Sequence, residues 1–119
     1  MSNALSKKDL PIMLDSYLSE FGAIEEFMQV ERFQEAADLA VKLANRMLED
    51  APRLHQTHNM QLRAVATTLK ANFAHLCRQA ADAIQLKNLD VYPAFANRAQ
   101  RTLKELRSML ADLVQKAAV

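Results

Sequence analysis

One glycine and three prolines in 119 residues leave this chain little with which to interrupt a helix. Glycine supplies most of the left-handed turns that proteins use, and proline stops helices by losing its N–H. The remaining residues are rich in Ala, Leu, Gln, Glu, Lys and Arg, which favour helix nearly everywhere. Half the residues are apolar and 24% are charged, which is the balance of a folded chain and not of a disordered one. With no Trp and few aromatics, the core must come mostly from Leu, Ala, Met and Val. The length suits a single domain over residues 1–119 that can bury a core without disulfides or metals. Residues 1–9 are expected to form a flexible N-terminus.

Apolar residues recur at helical spacing in four runs. The first is Leu14, Tyr17, Leu18, Phe21, Ile24 and Met28, behind Asp9 as a cap and Pro11 in the opening turn. The second is Phe33, Ala36, Ala37, Ala40, Leu43, Ala44 and Met47. The step from Met28 to Phe33 breaks the rhythm, so Gln29–Arg32 is either a turn or a kink, with Gly22 as another candidate break. One unbroken helix over residues 11–50 would be roughly 60 Å long, too long for its partners. Ala51-Pro52 ends the second run, because the residue before proline avoids the helical region. Pro52 to about His58 is the link. The third run is Leu62, Val65, Ala66, Leu69, Phe73, Leu76, Cys77, Ala80 and Ile84, a stripe wide enough to touch two neighbours. After the polar break Lys87-Asn88-Leu89-Asp90, the fourth run is Tyr92, Ala96, Ala99, Leu103, Leu106, Leu110 and Leu113. Its steps alternate four and three, a heptad seam.

Four amphipathic helices with short links predict an all-α fold, an antiparallel up-down-up-down four-helix bundle. Such a bundle buries one stripe per helix. Leu89, Val91 and Phe95 lie off the fourth seam and are candidates for an association face, with a second copy of the chain or with a protein partner.

Charge divides at Pro52. Residues 1–50 carry five Lys/Arg against ten Asp/Glu, and residues 51–119 carry ten against four. Folding therefore sets an acidic helix pair against a basic one. Arg63 and Lys70, seven apart, share an edge of the third helix, while Arg98, Arg101 and Lys104 step by three along the fourth. These five either pair with the acidic half or offer a surface to phosphates. No aromatic interleaving supports stacking on single-stranded bases.

Signatures of catalysis are missing. Gly22 cannot by itself form a phosphate-binding loop, and no Glu-x-x-His pair exists to build a bundle-type metal centre. His55 and His58 stand three apart with no obvious third ligand, so no metal and no cofactor is expected. His75 lies about 140° from the centre of its stripe and should be exposed. An exposed His on a bundle resembles a phosphotransfer domain, which places Lys three residues on and Gly four residues on. Here those positions are Arg78 and Gln79, and the better-matching register, Thr67-Thr68-Leu69-Lys70-Ala71, has no His. The lone Cys77 falls on the core stripe and can make neither an internal disulfide nor a zinc site. It fits a reducing, cytoplasmic setting. The first ten residues have no apolar run of signal-peptide length, and no stretch approaches membrane-spanning length. The expected role is therefore non-enzymatic, an adaptor working by association, with nucleic-acid binding as the alternative.

Phe33-Gln34-Glu35-Ala36 with Leu39-Ala40, Gln61-Leu62-Arg63-Ala64-Val65 with Asn72, and Arg101 to Leu106 ending in Leu-Lys-Glu-Leu resemble one known bundle family. It comprises the proteins encoded by intervening sequences of large-subunit ribosomal RNA genes and the accessory proteins of diversity-generating retroelements. The family's Ser-Asn-Ile-Ala-Glu-Gly run corresponds here to Ala71-Asn72-Phe73-Ala74-His75-Leu76, without the Glu and the Gly. The resemblance spans about two-thirds of the chain. It implies a ring-like oligomer, usually a pentamer, whose basic surface engages nucleic acid or a reverse transcriptase.

Overall fold

Helix α1 (Asp9–Gln29) runs straight through Gly22, so that residue is not the break. The computed structural model describes residues 9–117, and the expected flexible N-terminus lies, Asp9 apart, outside the described residues. Asp9 lies within the described helix and is not its cap. Its carboxylate still stands in the first turn, where the helix dipole favours an anion. Leu14, Tyr17, Phe21, Ile24 and Met28 are buried, as the periodicity requires.

The five-residue step from Met28 to Phe33 is a turn. Glu31 takes a left-handed conformation at φ 60°. The Glu31 amide donates to the Met28 carbonyl at 3.2 Å, and the Arg32 amide donates to the Phe27 carbonyl at 2.9 Å. These two bonds are a Schellman motif, in which glycine normally holds the left-handed position. Helix α2 (Phe33–Asp50) follows, its seam made of Phe33, four alanines, Leu43 and Met47. A single 3-10 turn, Ala51–Arg53, carries the chain round Pro52. Helix α3 (Gln56–Thr68) then begins two residues before the expected end of the link at His58.

The third run is one rod with an irregularity. Helix α3 passes through a π turn, Leu69–Phe73, into α4 (Ala74–Gln85). The Ala74 amide donates to the Leu69 carbonyl, five residues back. A π turn holds an extra residue, so the side chains after it rotate relative to those before it. On a uniform helix Ala74 would stand about 120° from Leu62. In the structure it is buried beside the seam. The rod ends in a second Schellman motif, with Lys87 at φ 58°. Its amide donates to Ile84, and the Asn88 amide donates to Ala83.

Helix α5 (Tyr92–Ala117) carries the heptad seam, and Ala99, Leu103, Leu106, Leu110 and Leu113 are buried along it. Each rod packs on its chain neighbours, and α1 closes the ring on α5; the diagonal rods meet through side chains in the core, as Met28 and Cys77 do. Tyr17, Phe21 and Phe73 are the largest side chains in the core that all four rods share. The described residues are thus all-helical, four rods around one core.

Candidate functional site

Cys77 and the histidines offer no catalytic constellation. Cys77 lies in the core, its thiol 3.6 Å from the Met28 sulfur, and burial pushes its pKa up to about 12, against a smaller opposing effect of Arg78. A thiol held protonated is a poor nucleophile. His55 and His58 meet edge to face at 6.3 Å beside the α3 start. No cluster of three His, Cys, Asp or Glu among the described residues could hold a metal. His75 is exposed on α4, and the half-buried Gln79 occupies the position one turn further on.

A part-buried polar clasp joins α1 and α2. The Tyr17 hydroxyl donates to Asp50 Oδ2 at 2.5 Å. Arg46 stacks over the Tyr17 ring at 4.9 Å and donates to Glu20 and to Ser16. Burial, then the bond to Asp50 and its charge, drive the Tyr17 hydroxyl well above its ordinary pKa, with Arg46 and Arg53 opposing. The clasp locks the α1–α2 hairpin.

The five candidate cations do not pair with the acidic half. The cations of the second half that reach acids of the first are Arg53, on its near neighbour Asp50, Arg78, on Asp38, and Arg107, on Glu25. Among the described residues, Arg63, Lys70, Arg98, Arg101 and Lys104 have no carboxylate within ion-pair distance. Their partners, where they have them, are neutral: Arg63 donates to Asn59 Oδ1 at 2.6 Å, and Lys70 donates to Asn45 Oδ1 at 2.8 Å. Nor do the five form one patch. Lys70 reaches toward α2, and Arg63, one heptad earlier, shares its edge. Arg98 and Arg101 line an open groove between α5 and the π turn, with Asn72, Leu76, Thr102 and Glu105. Lys104 is exposed one turn beyond Arg101.

Four exposed apolar side chains stand on the turns at one end, while Ile12, Met60 and Met109 are exposed elsewhere. Leu89 is 68% exposed, Val91 37%, and Leu86, which the periodicity did not single out, 79%. Val30, in the α1–α2 turn, is 63% exposed. A groove joins the two turns, running from Met28, Glu31 and Phe33 to Tyr92, Pro93 and Ala96. Phe95 is a correction to the expected face: it is half-buried and packs against the core, because it stands close enough to the α5 seam to turn inward. Leu86 and Val30 were findable as apolar residues at helix ends, outside any seam. Asn72 and Thr102 were not, since only the π turn and the α5 crossing bring them to Arg98.

The chain matches no protein-family model, no curated protein and no solved structure. The described residues form an all-helical fold of four rods with exposed charged and apolar side chains on its exterior. No helix among the described residues is long and apolar enough to cross a membrane.

Proposed function

We propose that this chain is a non-enzymatic adaptor that works by association, with itself or with a protein partner, in a reducing cytoplasm. The observation that carries the reading is the exposure of Val30, Leu86, Leu89 and Val91 together at one end. Four large apolar side chains stand exposed on two adjoining turns, and exposed apolar surface of this kind marks interaction sites. The bundle itself is read as antiparallel, up-down-up-down. Supporting this, Tyr17 and then Glu20 in the middle of α1 meet Asp50 and Arg46 of α2 in reverse order. Lys70 and Arg78 meet Asn45 and Asp38 in reverse order along α2. Multi-angle light scattering over a concentration series tests self-association. The mass should rise above the 13.4 kDa of one chain as concentration increases. A mass of 13.4 kDa at every concentration would overturn self-association.

A second reading is a nucleic-acid-binding accessory protein, as the resemblance to the intervening-sequence and retroelement family implies. Its support is that Arg63, Lys70, Arg98, Arg101 and Lys104 are left without carboxylate partners. Cations spared by the acidic half remain available to phosphates.

A further inference from the structure

The apolar end supports a more specific inference, which rests on the self-association reading and names its face. The α1–α2 turn and the α4–α5 link adjoin across the groove from Glu31 and Phe33 to Tyr92 and Pro93. Each presents exposed apolar side chains, Val30 on one and Leu86, Leu89 and Val91 on the other. Each also presents one exposed charge in a left-handed conformation, Glu31 at φ 60° and Lys87 at φ 58°. The two charges are of opposite sign, and neither belongs to an ion pair within the described residues. Across both turns, Glu31 and Asp90 balance Arg32 and Lys87, so the end can meet its own copy without net repulsion.

We propose that this end is the contact between two copies of the chain, joined end to end about a two-fold axis. In an isologous contact residue i of one copy meets residue j of the other, and j meets i. A two-fold axis passing between the two turns sets each turn over the opposite turn of the second copy. Glu31 then faces Lys87 twice, on either side of a centre made by Val30, Leu86, Leu89 and Val91. An end measuring 24 × 19 Å offers a flat footprint of roughly 450 Å² per copy, below the ~800 Å² of a standard interface, which places the dimer in the weak, reversible class.

Sedimentation and small-angle scattering, carried to several hundred micromolar, test this on the full chain. The expected dimer is a rod whose long dimension is close to twice the monomer's 53 Å. Glu31→Lys sets lysine against lysine and Lys87→Glu sets glutamate against glutamate, so each variant alone should dimerise at least tenfold more weakly. Mixing the two variants should restore the dimer, since each then supplies the charge that the other lacks; the double variant should restore it too. Leu89→Ser should weaken it without affecting the thermal transition. A compact side-by-side dimer, or a dimer indifferent to the charge swaps, would overturn the end-on contact and leave self-association standing. A monomer throughout would overturn both.

Discussion

Glu31 and Lys87 occupy conformations that side chains with a Cβ adopt at a cost of roughly 1–2 kcal/mol each. Both end helices in Schellman turns, where glycine is the usual choice. Replacing either by glycine should raise stability by about 0.5–1 kcal/mol, after the extra chain entropy that glycine brings to the unfolded state. The thermal midpoint should rise by a few degrees for each. An unchanged or lower midpoint would show that the turns are not strained. If the end-on contact is real, the same substitutions should weaken the dimer while stabilising the monomer, a trade often seen at functional positions. Tyr17 gives a pH prediction. Its folded-state pKa is raised above the unfolded 10.0, so the stability it contributes is present below pH 10 and lost as pH rises beyond it. Cys77 adds a limb that begins near its unfolded 9.0 and runs toward 12. Tyr17→Phe should be less stable at pH 8 by about 1.5–3 kcal/mol, the usual worth of a hydrogen bond to a charged group. Its midpoint should then fall less steeply than the wild type's between pH 10 and 11.5. Parallel curves for the two proteins would refute the assignment.

At the scale of elements, the apolar periodicity located all four rods, and α2 ends at Asp50, although Ala51 before Pro52 keeps the helical conformation that the backbone rule disfavours and leads into the 3-10 turn. The α1–α2 turn was legible only as a broken rhythm, because Glu31 sits where sequence reading looks for glycine. The π turn was not legible. A seam of Leu69, Phe73, Leu76 and Cys77 reads as ordinary helix, and the extra residue shows only when Ala74 is found in the core. Deletion distinguishes the two geometries. Removing Ala71 from the π turn should restore a regular helix, keep α4 in its present register and leave the midpoint within a few degrees. Removing Ala64, from the regular part of α3, rotates everything after it by about 100° and should abolish the cooperative transition. Equal damage from both deletions would mean that the π turn is not the slack in this rod.

Across the whole molecule, the division of charge contributes less to holding the fold than the sequence suggests. Beyond Arg53–Asp50, a local pair at the junction itself, only Arg78–Asp38 and Arg107–Glu25 join the two halves as ion pairs among the described residues. All four side chains are about a third or more exposed. Such pairs are worth roughly 0–1 kcal/mol. The unshared cations instead set the field around α3 and α5. If they bind nucleic acid, affinity for a mixed-sequence oligonucleotide should fall steeply between 50 and 200 mM salt, because phosphate contacts release counterions. An Arg98→Glu, Arg101→Glu double variant should bind at least tenfold more weakly with an unchanged thermal midpoint. No retention of the wild type on a polyanion column at low salt would remove this reading.

What the sequence alone determined is the all-helical character, the four seams and the identity of nearly every core residue. These follow from helix propensity and from a 3.6-residue period, both local properties of the chain. Only the tertiary structure decided which cations the acidic half neutralises, which off-seam residues turn inward, as Phe95 does, and which stay exposed, as Leu86 does. Those outcomes depend on which rods are neighbours and where their turns meet, and no local pattern carries that information.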